Sequence, residues 1–279
     1  TKAVLIVDNC PPDLHSTLTK TCSVPDSTVS LLTVEYDVRD DIPEETNVFR
    51  LEPASEELIE KLIRKRFKHI SQVDAQTIAN FSGGNARIAI SLATTVQQGE
   101  SLSGLRDEDL FKRLFHQRND PNESLLSSAQ VCSLVYSFEG IDTASEKSEI
   151  KILASLAGKS TNDLYRDVTT LRKRDLIQSR HVWRAVLPHA IANRLAKLAL
   201  ESIPKDEIVK AFLNSGSERP IKSFSRRLSY LHDCEQAVEI VNEWLLPEGW
   251  LGKANCSFNE LGITVFKNIA PVSPVKTLE

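Results

Sequence analysis

The run Leu5-Ile6-Val7-Asp8-Asn9 puts a carboxylate at the end of a short apolar stretch that begins at Ala3. Five apolar residues closed by an acid suit a fully buried parallel strand, which would deliver Asp8 to the carboxyl edge of a sheet. Ligands of open α/β sheets bind at that edge. A second β-rich run, Val29 to Tyr36, carries polar Thr33 and Glu35 at its end. Gly83-Gly84-Asn85-Ala86-Arg87 admits two readings. One is a helix–helix turn in which glycine takes left-handed dihedrals. The other is an anion or base site made by the turn and the next helix N-terminus, with Arg87 as a sensor. His189 opens a long amphipathic helix, where it could cap, pack or touch a ligand. His232-Asp233-Cys234 has the composition of a catalytic trio. Neighbours on a helix point in different directions and triads assemble in space, so a structural role is expected there.

The elements around these residues set the expected fold. A turn at Asn9-Cys10-Pro11-Pro12 and a short helix from Asp13 to Lys20 join the two β runs, which suggests a βαβ crossover and a parallel pair. Val48 to Leu51 reads as a short extended entry. Ser55 is a good N-cap, Glu56 and Glu57 suit a first turn, and Leu58, Ile59, Leu62, Ile63 and Phe67 share one face. Further helices are expected over 73–81, 86–95 and 107–118, with a linker over 97–105. From Leu125 the pattern gives helices over 125–138, 146–157 and 161–174, then short strands over 176–180 and 182–187, then a helix over 189–202. Three helices followed by a β-ribbon read as a winged helix-turn-helix. More helices follow over 205–214, 221–233 and 235–245, while the last stretch reads as helix-poor. The expected class is mostly α with a small α/β part.

The 279 residues suffice for a sizeable core and two or three domains. No apolar run approaches the ~18 residues of a membrane helix, so no membrane partner is expected. Five scattered cysteines (Cys10, Cys22, Cys132, Cys234, Cys256) without a Cys-x-x-Cys pair argue against zinc and for a reduced, cytoplasmic setting. The formal net charge of -4 argues against a chain wholly dedicated to nucleic acid. No phosphate-binding Gly-x-x-x-x-Gly-Lys-Ser/Thr loop occurs.

The order of these features resembles the STAND branch of P-loop ATPases, the signal-transduction ATPases that include NACHT and NB-ARC switches. Among them it is most similar to bacterial antiviral sensors. The resemblance covers residues 1–200, including the stretch Leu51 to Leu58 as a strand-to-lid connection. It implies the end of a P-loop core with Walker B and sensor 1 strands over 1–50, a helical lid over 51–104, a winged helix over 105–203, and the start of a truncated sensor or repeat region over 204–279. On this reading the sequence is a piece that begins at the Walker B strand. The resemblance makes Asp8 the Mg2+ carboxylate. Asn9 stands where many members carry an acid that orients the attacking water; an amide is no base, which implies a slow ATPase in the intact protein. Thr33 or Glu35 would sense the γ-phosphate. Gly84, Asn85, Arg87 and His189 would touch the nucleotide. The implied cofactors are ATP or ADP with Mg2+. The implied behaviour is nucleotide-controlled self-association in signalling or defence, triggered by an unknown activating ligand.

Two other classes stand beside this one. The candidate recognition helix, Thr161 to Asp175, carries Arg166, Arg172, Lys173 and Arg174 but also Asp163, Asp167 and Asp175. Opposed charges would cancel much of any attraction for phosphate. Leu164, Val168, Leu171 and Leu176 are spaced like a core face, so packing is preferred over DNA contact. A winged-helix transcription regulator is thus the alternative, and a nucleotide-free interaction scaffold the third.

Overall fold

The computed structural model describes residues 2–8, 10, 12–34, 46–49, 51–115, 123–252 and 259–278. Asn9 and Glu35 lie outside the described residues. The described chain is mostly helical, with two small sheets. It begins with β1 (Ala3–Asp8), α1 (Pro12–Cys22) and β2 (Val29–Val34). β1 and β2 are parallel, with Val7 opposite Thr33 and Asp8 opposite Val34.

The expectation of a buried strand fails here. Val4 and Ile6 are each 64% exposed, Leu32 49% and Val34 46%. The cause is coverage. Alternate side chains point to opposite faces, and α1 lies over only the face carrying Val7, Leu31 and Thr33, the strand positions that are half-buried. The other face, with Val4, Ile6, Leu32 and Val34, meets too little of the described chain to be buried.

Three helices follow: α2 (Glu56–Arg66), α3 (Gln72–Ser82) and α4 (Ala86–Ala93). Each is capped by a side-chain oxygen of the preceding residue. Ser55 accepts from Leu58 N, Ser71 from Asp74 N and Asn85 from Ile88 N. Ile59, Ile63, Ile78, Ala89 and Leu92 are buried between them. Asp74 is buried as well. Burial alone would raise its pKa, but hydrogen bonds from Ser71, Leu102 N (2.7 Å) and Ser101 (2.9 Å) outweigh it and hold the carboxyl low. One acid thereby anchors the linker after α4.

Next come α5 (Asp107–Phe115), α6 (Glu123–Ser133), β3 (Phe138–Glu139), α7 (Glu149–Leu156), α8 (Thr161–Lys173), β4 (Ile177–Arg180), β5 (Trp183–Val186) and α9 (His189–Ser202). The three strands form an antiparallel sheet of order β3-β5-β4. The expected helix over 125–138 is corrected: it stops at Ser133, and Phe138-Glu139 pairs with β5 instead. Leu164, Val168 and Leu171 of α8 are buried, as their spacing predicts.

α10 (Lys205–Leu213), α11 (Glu218–Leu228) and α12 (Glu235–Leu245) continue the core, with Phe212 stacked on Phe224 at 4.6 Å. The end of the chain is a second correction. It holds α13 (Glu260–Ile269) and α14 (Pro274–Leu278), not helix-poor chain. Asn259 caps α13 by accepting from Gly262 N at 2.6 Å, and Val265 and Ile269, four residues apart, bury one face.

Candidate functional site

The residues singled out in the sequence fall into two places. Asp8 ends β1 and is exposed. It shares the open sheet face with Ile6 and Val34, because residues in register on parallel strands point the same way. Thr33 points to the other face. There its hydroxyl lies 3.1 Å from Nδ1 of His15, a buried residue of α1. His15 Nε2 also lies 3.2 Å from the Thr46 hydroxyl and 3.3 Å from that of Thr19. One ring thus gathers three threonine hydroxyls and ties the end of β2 to the chain at Thr46. Asp8 and Thr33 belong to one strand edge but to opposite faces. His15 escapes a reading of the sequence because it has no motif. Only its phase on a short helix beside Thr19, one turn later, marks it.

The second place is a junction of three segments distant in sequence. Gly83 has φ +56° and Gly84 φ +79°, so both need the left-handed region. Neither has room for a side chain. A Cβ on Gly83 would come within 2.4 Å of the Ala190 Cβ on α9. One on Gly84 would come within 2.3 Å of the Ala54 carbonyl oxygen. The Ala54 N–H donates to Gly84 O at 3.2 Å. The turn therefore clamps the connection leading into α2 on one side and the start of α9 on the other. Asn85 caps α4. Arg87 projects outward and pairs with Asp175 at 2.6 Å, both side chains more than half exposed. Such a pair contributes little to stability.

His189 adjoins this junction through Ala190. Its ring stacks on buried Tyr136, centroids 4.4 Å apart. Arg226 of α11 lies over the same Tyr136 ring at 3.8 Å, and Arg227 at 5.5 Å. Arg227 is fully buried. It donates to Ser133 O (2.9 Å), Val135 O (3.4 Å) and Asn193 Oδ1. Burial pushes its pKa down to about 10. No described carboxylate lies within ion-pair distance of Arg227. A cation thus sits in the core on carbonyl and ring electrons alone. The sequence carries a signal for it: Arg227 occupies the apolar stripe Phe224, Leu228, Leu231.

Beside this, Arg194 of α9 reaches back across the molecule. It donates to both Asp107 oxygens (2.7 and 2.9 Å), to Asn80 O (3.2 Å) and to Asn80 Oδ1 (2.9 Å). It borders a cleft of about 580 Å³ whose walls include Glu56, Glu60, Phe81 and Leu110. None of the residues predicted to touch a ligand lines this cleft. His232, Asp233 and Cys234 lie in the turn before α12, where Cys234 occupies the N-cap position without a side-chain capping bond. Its thiol is buried, which raises its pKa.

Among the described residues no three His, Cys, Asp or Glu side chains gather as a metal site. Asp8 offers one carboxylate. That suits Mg2+, which keeps most of its ligands as water and phosphate oxygens. No helix among the described residues is long and apolar enough to cross a membrane. Comparison with models of known families, with curated proteins and with solved structures returned no match.

Proposed function

We propose that this chain is part of a STAND-class, nucleotide-controlled signalling switch, with ATP or ADP and Mg2+ bound in the intact protein. One observation carries the reading. The connection at Pro53-Ala54, the Gly83-Gly84 turn and the start of α9 beside His189 meet at one junction. The resemblance assigns the Gly83-Gly84 turn and His189 to one nucleotide site and the stretch Leu51 to Leu58 to the strand-to-lid connection, and nothing in their sequence separation brings them together. The parallel β1/β2 pair, with Asp8 at its carboxyl end, supports the same reading. So does the order α6-β3-α7-α8-β4-β5 with its β3-β5-β4 sheet, which accords with a winged helix. The open face of β1 and β2 accords with a sheet whose remaining strands and covering helices complete a P-loop core. Asp8 holds Mg2+, hydrolysis is slow because Asn9 is no base, and the nucleotide state controls self-association.

Calorimetric titration of the full-length protein that carries this sequence tests the reading, with ADP and ATP in the presence and absence of Mg2+. Mg2+-dependent binding is expected, and Asp8→Asn should abolish the Mg2+ dependence while leaving the circular dichroism unchanged. No binding of either nucleotide refutes the proposal.

A further inference from the structure

The charge on α2 is divided along its length. Glu56, Glu57 and Glu60 fall in its first half, and Arg64, Lys65 and Arg66 in its last turn. Part of this order complements the helix dipole. Residues off the helix extend it: Asp107 of α5 joins the acids, and Lys68 follows the cations.

The acids line the cleft of about 580 Å³ between α2, α3, α5 and α9, where four carboxylates face one guanidinium, Arg194. Arg194 shows how a cation is held there. It donates to both oxygens of Asp107 and lies over the Phe81 ring at 5.8 Å. None of the three glutamates is gripped in this way. Glu57 is tied to exposed Lys61 one turn on, and Glu56 accepts from Asn80 Nδ2 at 3.3 Å. The Glu60 side chain is only 15% exposed, yet its ion-pair partner Arg64 stands at 3.6 Å, and among the described residues it accepts no hydrogen bond. A carboxylate sunk to that depth calls for donors. The cleft thus offers acceptors for a cationic head, and buried Phe81 and Leu110 beneath them for its alkyl stem.

The chain itself carries the complement. Lys65, Arg66 and Lys68 are exposed, with no described carboxylate within ion-pair distance, in a chain of net charge -4. Cations and cleft sit towards opposite ends of a helix about 16 Å long. A rigid helix cannot fold its last turn back on its first, so the cations of one copy can meet only the cleft of another.

We propose that the exposed end of α2 in one copy docks into the acidic cleft of a second copy, with Lys65 and Arg66 on Glu56, Glu57 and Glu60. Two different patches meet, so the contact is heterologous and propagates head to tail into a ring or an open chain. It supplies a surface for the self-association proposed above; its purpose rests on that reading, its charges do not.

Sedimentation velocity of the 279-residue chain without nucleotide tests it. High protein concentration is needed, because an interface below about 1,200 Å² binds weakly. The sedimentation coefficient should rise with concentration at roughly 50 mM NaCl and stay monomeric at roughly 500 mM, where exposed charges are largely screened. Glu56→Lys/Glu57→Lys and Lys65→Glu/Arg66→Glu should each weaken association on the order of tenfold or more, since like charges then face each other. An equimolar mixture of the two should associate again, because each variant restores the complement that the other has lost. Lys173→Glu/Lys267→Glu makes the same charge change at exposed lysines elsewhere and should leave association within about twofold. All the substituted side chains are exposed, so every variant should melt like the parent by circular dichroism. Three results overturn the proposal: no association at the lower salt, equal weakening by the Lys173/Lys267 variant, or a mixture that stays monomeric. Nucleotide binding is measured separately, so either proposal can fail while the other stands.

Discussion

The clamp at Gly83 makes a prediction that separates two physical effects at one position. Gly83→Ala forces an L side chain to φ +56°, which costs about 1–2 kcal/mol. It also drives a methyl group to 2.4 Å from the Ala190 Cβ, an overpacking worth about 1–3 kcal/mol. The single variant should therefore lose about 2–5 kcal/mol, measured by urea unfolding followed by circular dichroism. Ala190→Gly removes the obstructing methyl. Alone it should cost no more than about 1 kcal/mol, since Ala190 lies in the first turn of α9. In the double variant the clash is gone and only the dihedral and glycine costs remain. The cycle should then show a favourable coupling of about 1–3 kcal/mol. Coupling below about 0.5 kcal/mol would mean that α9 does not press on the turn, and that the three segments do not meet as a clamp. Gly84→Ala has no such remedy, because its obstruction is the Ala54 backbone.

Other predictions concern buried and paired charge. Arg227→Ala should cost at least about 3 kcal/mol in the same unfolding assay, since it opens a cavity and leaves Ser133 O and Asn193 Oδ1 unpaired. A loss below about 1 kcal/mol would refute the buried site. Two carboxylates should titrate in opposite senses. Burial raises the pKa of Glu149 against the pull of Arg219. Its contribution to stability is then full below the unfolded value of about 4.3 and declines as pH rises through the folded one. The stability of the parent relative to Glu149→Gln should fall as pH rises from about 4; a rise would contradict the assignment. Glu100 is held down to about 2 by Arg113 and the Gln97 N–H. Its contribution is present above about 4.3 and lost as pH falls towards the folded value, so the parent should lose its advantage over Glu100→Gln as the solution is acidified below about pH 4. Burial also pushes the Cys132 thiol up to about 12. Ellman's reagent at mild alkaline pH should modify Cys22 and spare Cys132 in the folded protein, as read by peptide mass spectrometry.

Much of the architecture is written in local signals. Ser55 with Glu56 and Glu57 announces α2, and the spacing of Leu164, Val168 and Leu171 announces the buried side of α8. The parallel β1/β2 pair follows from a helical crossover of the right length. What periodicity does not supply is coverage. An apolar strand looks the same whether or not something covers it, so the exposure of Val4 and Ile6 is invisible in the sequence. The site residues are legible as types and not as partners. Thr33 stands out by its place at a strand end, but its engagement by His15 depends on the facing of two elements joined by a loop. By composition Asp167 counts against the cations of α8, although its phase beside Leu164 and Leu171 already turns it inward. β3 escapes sequence reasoning because two residues are too short to show alternation.

Arg194 has a mechanical consequence. Its four hydrogen bonds bind the last turn of α3, the first turn of α5 and the middle of α9 through one side chain. Sliding α9 strains all four bonds together, whereas sliding α3 or α5 alone strains only the two that end on that helix. A displacement of α9 therefore bears on the end of α3, which runs directly into the Gly83–Gly84 turn.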